Sequence, residues 1–571
     1  MTKTPLKTVE QWIEEIPTWG VEAHGVRLHI NPQVSSLSKS RPWTIDVENN
    51  PDGSCAGIGI ASDLEDIFFF TDIKDKEFFV GAGLIGHNIK YDVQMLRKWG
   101  FNVSPDQIIW DTQIAEYVHN STTNRYGLKD LSRERYSASY PEFEQLCGKG
   151  AKAVAVGSLP TPLVANYNGC DVFYTSRLCT DQLETFTEAE REYMLRIELP
   201  ALRAVTETEE RGVEINADYL RDLDKRFEAL LSGVATRIRA VAGAEINLNS
   251  HQQIKRLLLE KCGLRLQTTA AEELSKHENV PLVKDLLRYR GLAKLRSTYT
   301  SVLIERSEGR SRYRLNARFN QTITHTGRFS SSAPNLQNIP TRTEEGDSVR
   351  EAFVAKDGYF LADGDYSQIE PRLMAHFSED DRLIEIFRSG EDLYDGVTKT
   401  LKLPVTKENR KISKVLWLAI AYNAGAYKIS KTAGISFNKA HDFLNLMRKS
   451  FPKLFYWKDK LIAQAEIDGY VTTLFGRRIP LPKEWAHLAP NYKTQGSGAE
   501  IVKLALSATR SFCPVLTVHD ENMYELKLHE DGTMEGTDLQ HIKDAMENVV
   551  ELSVPLVVSM GHGKNWRSAK A

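Results

Sequence analysis

Two short apolar runs, far apart in the chain, each deliver carboxylates to the end of a strand. The first, Tyr359-Phe360-Leu361-Ala362, runs on into Asp365-Tyr366-Ser367-Gln368-Ile369-Glu370-Pro371-Arg372. It reads as a strand carrying Asp365 to its end, then a helix in which Pro371 is tolerable only in the first turn. The second, Val518-His519-Asp520-Glu521, stands between the apolar stretches 515–518 and 522–526, as at a hairpin tip. Two sheet-borne aspartates of this kind can hold two metal ions for phosphoryl transfer. At 571 residues the chain is too long for one core, so three or four structural units are expected.

Several classes are excluded early. No apolar run is long enough to cross a bilayer; the longest candidates, such as 67–70, are strand-sized. The opening Met1-Thr-Lys-Thr-Pro-Leu lacks the apolar core of a signal peptide. Cys55, Cys147, Cys170, Cys179, Cys262 and Cys513 are scattered, with no C-x-x-C pair. That spacing argues against a zinc site or a disulfide framework and for a reducing compartment. The net charge of −3 is not that of a protein that only coats nucleic acid. Charge is segregated instead. Between Arg288 and Arg318 lie Arg290, Lys294, Arg296, Arg306, Arg310, Arg312 and Arg314, against only Glu305 and Glu308. Such a stripe suits a phosphate backbone, although a solvated helix face has the same composition.

Residues 41–72 read as three strands, 43–47, 56–61 and 67–70, and helices follow at 89–99 and 111–118, giving a mixed α/β unit that ends near 195. From 199 to about 307 the pattern is helical: 201–211 closes at Gly212, Ser250 caps 252–259, and 281–304 is one long charged helix or a pair. Strands and loops occupy 311–375, helices 380–468, and a hairpin turns at Gly476 between 470–474 and 478–481.

Asp46-Val47-Glu48 lies on the first predicted strand, where period-two alternation puts both carboxylates on one face. Two close like charges repel unless a cation neutralises them, which makes the pair a candidate divalent-metal site. Read singly, D-x-E is a weak signal and more often a solvated strand edge. Gly86-His87-Asn88-Ile89-Lys90-Tyr91-Asp92 follows, with Asp92 early in a helix. Tyr167-Asn168-Gly169-Cys170-Asp171 then places Tyr167 and Asp171 on one helix face. A tyrosine can orient a nucleophilic water while the carboxylate binds metal. The three motifs, in this order, resemble those of the DEDD exonucleases in their tyrosine-bearing form. The resemblance implies catalytic roles for Asp46, Glu48, Asp92, Tyr167 and Asp171, with Asn88 in support, and metal ligation by the four acids. Asn49 stands where the family usually has Thr.

Between the two sheet-borne aspartates, Arg410, Lys414, Leu418 and Tyr422 recur at spacing four, on one helix face. Cations, a hydrophobe and an aromatic in that order suit a triphosphate, a sugar and a base; an amphipathic helix with a basic end has the same look. With Asp365 and Asp520, this helix resembles motifs A, B and C of family A DNA polymerases. Thr326-Gly-Arg328 through Asn335-Leu-Gln337-Asn338 to Arg342 looks like that family's primer–template contact segment. Asn491-Tyr-Lys-Thr-Gln495 is similar to its minor-groove-reading element, and 469–478 to the hairpin after the fingers. The resemblance spans about 41–566.

The resemblance implies an α/β multidomain chain: an RNase H-like 3′→5′ exonuclease at 41–195, followed by a right-hand polymerase. The thumb is expected at 196–309, the palm at 310–375 and 481–571, and the fingers at 376–480. Residues 1–40 carry no readable motif, and the family's 5′-nuclease domain is expected to be absent. Asp365 and Asp520 would bind two Mg2+ ions, Mn2+ being an alternative, with Glu521 in support. Arg410 and Lys414 would clamp the triphosphate, Tyr422 would stack near the templating position, and Glu370 would fill the space of a ribose 2′-hydroxyl. Arg328, Asn335, Gln337, Asn338, Gln495 and His519 would contact the primer end and the minor groove, a nearly sequence-blind surface. Expected partners are primer–template DNA, dNTPs and a single-stranded 3′ end, with accessory replication proteins open. The protein is expected to be a monomer of the cytoplasm, the host's if it is viral, with no membrane. Tyr394, Leu418 and Asn423 stand where His, an aromatic and Gly are common. A single-subunit RNA polymerase shares the palm logic, but Glu370 and the exonuclease motifs speak against it. Intact carboxylates at both sites speak against an inactive DNA-binding scaffold.

Overall fold

Six strands near the N-terminus form one mixed sheet, in the order Arg27–Ile30, Asp66–Phe70, Cys55–Ala61, Trp43–Asn49, Leu84–Gly86 and Ile108–Asp111. The computed structural model describes residues 7–34, 37, 41–121, 123, 125–150, 153–340, 343–529 and 536–570, the side chain of Thr537 excepted. Trp43, Ile45 and Val47 point into an apolar core with Ile58, Ile60, Leu84, Ile108 and Trp110. The other face is covered by the long helix Thr161–Thr185. That helix lies so close that a Cβ on Gly59 would fall 1.9 Å from the Asn168 side-chain oxygen, so only glycine fits opposite Asp46.

The expected division at residue 40 is not a structural one. Strand Arg27–Ile30 pairs in parallel with Asp66–Phe70. Helix Val9–Trp19, capped by Thr8, packs Trp12 and Trp19 into the cluster beneath the long helix. A strand of four residues, half of them polar, is too short to show a period.

The helical stretch appears where expected. Leu199–Arg211 stops at Gly212 (φ 58°), which lies too close to the Leu315 carbonyl for any side chain. Ser250 caps His251–Cys262, and Pro281–Leu295 runs on through a π turn into Ser301–Arg306 as one helix. The basic stripe is less free than its composition implies. Arg288 pairs with Glu345, Arg296 with Asp224, Arg310 with Glu308, Arg312 with Glu214 and Asp357, and Arg314 with Glu525. Arg290 donates to Thr269 instead, and among the described residues it, Lys294, Arg306 and Arg318 form no such pair.

The two acidic runs meet in one antiparallel sheet, ordered Pro514–Val518, Glu521–Lys527, Tyr359–Tyr366, Val558–Gly563. Phe360, Ala362, Tyr366, Tyr524 and Leu526 pack against Ile501, Val502, Ala505, Ile542 and Met546 of the backing helices. Residues 381–468 fold into helices around Trp417, Leu416, Phe387 and Leu454. The hairpin Tyr470–Thr472/Arg478–Pro480 follows, with Gly476 at φ 93°. Among the described residues no helix is long and apolar enough to cross a membrane.

Candidate active sites

The strand Trp43–Asn49 presents Asp46 and Glu48 to the helix Thr161–Thr185, whose Asn168 side-chain N–H donates to Asp46 Oδ2 at 2.7 Å. Ligand oxygens of Asp46, Glu48 and Asp171 lie within 4.8 Å of one another. Asp92, in the first turn of Lys90–Lys98, approaches the same strand and accepts the Val47 N–H at 3.0 Å. Burial, then repulsion from Asp171, lifts the Asp46 carboxyl well above its usual range and Glu48 to about 8; burial also raises Asp92. Buried carboxylates that repel each other are what a divalent cation relieves, so these residues fit a metal. Tyr167 is buried one turn before Asp171. Asp171 Oδ1 accepts from Lys129 at 2.7 Å and from the Tyr140 hydroxyl at 2.6 Å. A cavity of about 370 Å3, lined by Asp46, His87, Lys129 and Asp171 among others, opens onto the group. Asn88 has φ 62°, and the Asp111 carboxylate accepts its N–H and that of Ile89, fixing the turn that launches the Asp92 helix. Asn49 accepts from the Tyr91 hydroxyl.

At the end of the second sheet Asp365 stands opposite Glu521. Asp520 occupies the turn before Glu521, and its carbonyl accepts the Tyr366 N–H at 3.2 Å, which pins that turn beside Asp365. His519 is exposed at φ 54°. Burial, then repulsion from Glu521, raises the Asp365 carboxyl to about 6. Glu521 is fully engaged: Trp566 Nε1 donates at 3.1 Å and Lys570 at 2.8 Å, while the Arg350 guanidinium lies 3.9 Å away and over the Trp566 ring. Asp363 belongs to this group and escaped the sequence reading. It is fully buried, neither oxygen has a hydrogen-bond partner among the described residues, and burial followed by Glu521 and Asp365 raises it to about 8. Its position two residues before Asp365, on the same strand face, was the available signal.

Arg328 reaches the same end of the sheet. Its guanidinium bonds to Glu370 at 2.7 Å and lies 3.4 Å from Asp520. Glu370, in the first turn of Ile369–Ser378, is raised chiefly by burial. Gln337 Nε2 donates to the Thr517 carbonyl at 3.5 Å, on the strand that leads to Asp520. Asn335 accepts the Gln337 N–H within its own loop, and Asn338 is exposed while its carbonyl takes the Tyr299 hydroxyl. No hydrogen bond joins Gln495, on the helix Ala489–Ala508, to these groups among the described residues. Thr341 and Arg342 lie outside the described residues.

Helix Lys407–Ala421 buries Ser413, Leu416, Trp417 and Ile420 and exposes Arg410, Lys414 and Leu418, with Tyr422 exposed at its C-terminal cap. The side chain of Arg410 is held by Asp392 at 2.8 Å and by Asp395. Asp392 also accepts from Gln368 at 3.1 Å, next to the Asp365 strand. Tyr394 packs its ring 5.8 Å from the Lys414 ammonium.

Known proteins share this fold and much of this sequence. The polymerase domain of Pol1 from M. smegmatis, solved in complex with DNA primer-template and dNTP, superposes with a TM-score of 0.82 at 27% identity, covering 95% of this chain and all of that one. DNA polymerase I of Chloroflexus aurantiacus is 33% identical over 542 residues, 87% of this chain and 55% of that protein. DNA polymerase I of Pseudomonas aeruginosa is 31% identical over 520 residues, 85% of this chain and 56% of that protein. The chain thus spans about half the length of the curated relatives it matches. The description of DNA polymerase family A matches residues 217–568, from the helix after the Gly212 turn almost to the C-terminus. This chain belongs to DNA polymerase family A.

Proposed function

We propose that the chain is a template-directed DNA polymerase that extends a primer with dNTPs and removes 3′-terminal nucleotides at a second, separate site. One observation carries the reading: two acidic groups stand apart, Asp365 and Asp520 at the end of one sheet, and Asp46 and Glu48 on another, where Asp92 and Asp171 join them from helices, each group with its own supporting residues. In this reading residues 196–309 are the thumb, 310–375 with 481–571 the palm and 376–480 the fingers. The six-stranded sheet and the helices around it, including the segment from residue 9, are the exonuclease.

Asp365 and Asp520 would hold divalent ions, Mg2+ or Mn2+, in the palm, and Asp46, Glu48, Asp92 and Asp171 would hold them in the exonuclease. Bound there, such ions supply charge neutralisation at phosphate and a more acidic attacking hydroxyl or water. The chain supplies the rest. Glu521, tied by Trp566 and Lys570, keeps the Asp520 turn against Asp365. Arg410 and Lys414 face solvent where a triphosphate would enter, and Leu418 and Tyr422 offer packing to sugar and base. Glu370, fixed by Arg328, closes the space beside the sugar. In the exonuclease, Tyr167 would orient the water while Asn168 and Tyr140 hold Asp46 and Asp171 in place.

A labelled primer on a longer template, incubated with Mg2+, tests both halves. With dNTPs the primer should lengthen to the template end; without them it should shorten from its 3′ end. A primer that never lengthens would overturn the polymerase reading. One that never shortens would overturn the exonuclease.

A further inference from the structure

The segment between helices Thr112–His119 and Thr161–Thr185 belongs to none of the motifs, yet it puts a cation into the acidic pocket. Lys129 lies in the first turn of helix Leu128–Tyr136, with its side chain 16% exposed. Its ammonium stands 2.7 Å from Asp171 Oδ1, 3.7 Å from the centre of the Tyr140 ring and 4.1 Å from that of Tyr167. It touches both members of the Tyr167–Asp171 pair at once. Among the described residues lining the cavity it is the one lysine or arginine.

Asp171 does not need Lys129 to hold its place, because the Tyr140 hydroxyl donates to the same oxygen. What Lys129 adds is charge. The two rings hold the ammonium by their faces, which leaves donors beyond the one on Asp171.

We propose that Lys129 is a catalytic residue of the exonuclease, a fixed positive charge that contacts a non-bridging oxygen of the terminal phosphodiester; this rests on the exonuclease reading above. In the hydrolysis a bond forms from water oxygen to phosphorus, and the bond from phosphorus to the 3′-oxygen of the preceding nucleotide breaks. A water proton leaves past Tyr167 to solvent, and the departing 3′-oxygen takes one from solvent. Lys129 keeps its protons throughout. Negative charge builds on the phosphoryl oxygens as phosphorus becomes five-coordinate, and a preplaced cation stabilises that state more than the ground state.

The same charge repels divalent cations from the carboxylates, so its removal has two effects of opposite sign. Metal should bind more tightly and turnover should slow. A lysine that merely supports the fold would lower both together when removed.

Mn2+ binding is followed by electron paramagnetic resonance on full-length protein carrying Asp365→Ala and Asp520→Ala, which removes the palm ligands. Digestion of a 5′-labelled single strand gives kcat. Lys129→Met should lower the Kd for Mn2+ severalfold and lower kcat about a hundredfold. Lys129→Arg, which keeps the charge, should bind Mn2+ within about twofold of the parent and lose less turnover. Lys129→Gln serves where the methionine variant does not fold, with the same expectation. Parental kcat in the Met or Gln variant, or a joint loss of Mn2+ affinity and turnover, overturns the proposal. Absence of digestion in every arm, the parent included, overturns the exonuclease reading itself and is told apart by that uniformity.

Discussion

Leu418 is 42% exposed one turn beyond Lys414, on the exposed face of its helix. It carries no polar atom that could replace a missing sugar 3′-hydroxyl. A dideoxynucleotide would lose the interactions of that hydroxyl with nothing in compensation, typically about 1.5–3 kcal/mol or roughly ten- to hundredfold. The wild type should therefore discriminate against dideoxynucleotides and Leu418→Tyr should do so less. Termination frequency with mixed dideoxy- and deoxynucleotides measures this; equal frequencies in the two proteins would remove Leu418 from sugar sensing. Arg410 invites a second test. Asp392 and Asp395 both hold it, so a triphosphate bound as proposed would have to draw it away from them. Asp392 also caps its helix by accepting the Tyr394 and Asp395 N–H groups, whereas Asp395 has no such duty. Exposed ion pairs are weak, so Asp395→Asn should lower the dNTP KM about two- to fivefold with kcat unchanged. An unchanged or raised KM would show that the pair does not compete with nucleotide. At this scale the sequence was uneven. Asp365, Asp520, Asp46 and Glu48 were legible because strand period and motif order agree. Lys129 and Tyr140 were not, since they reach Asp171 across 42 and 31 residues with no local pattern.

Among the elements, helix Pro452–Asp468 grips the end of the Lys407–Ala421 helix. Lys458, only 2% exposed, donates to the Ile420 carbonyl in the last turn, which also accepts the Asn423 N–H at 3.2 Å. Burial lowers its ammonium to about 8. The folded protein therefore releases this proton before the unfolded chain does. The group costs stability below pH 8, and that cost is relieved as pH rises from about 8 toward 10.5. Lys458→Met keeps the stem without the charge. The stability advantage of the variant over wild type should shrink by roughly 1–3 kcal/mol between pH 7 and pH 10. Denaturant unfolding of both proteins measures it, and a difference that does not change with pH would mean that Lys458 keeps an ordinary pKa. Long amphipathic helices and the strands 43–49 and 359–366 were readable because burial imposes their period over many residues. Strand Arg27–Ile30 was not, because what makes it a strand is its partner Asp66–Phe70.

Across the whole molecule a buried polar seam ties the helix Thr112–His119 to the 321–325 loop, the turn at Arg477 and the helix behind the second sheet. Tyr117 donates to the Thr324 carbonyl at 2.6 Å, and Arg477 bonds both to Tyr117 and to the His325 carbonyl. Lys503 and Glu198 pair at 2.6 Å with almost no exposure, and Gln321 donates to Glu198. The seam fixes the loop leading to Arg328 against a helix that carries none of the catalytic acids. The two acidic sites thus share a framework and no residue. The most direct test of that claim uses one labelled primer on a template with Mg2+ and three proteins: wild type, Asp365→Ala, and Asp46→Ala with Glu48→Ala. The account predicts that Asp365→Ala abolishes extension and still shortens the strand, while the double variant extends and no longer shortens it. A folded Asp365→Ala protein that lost both activities would contradict it.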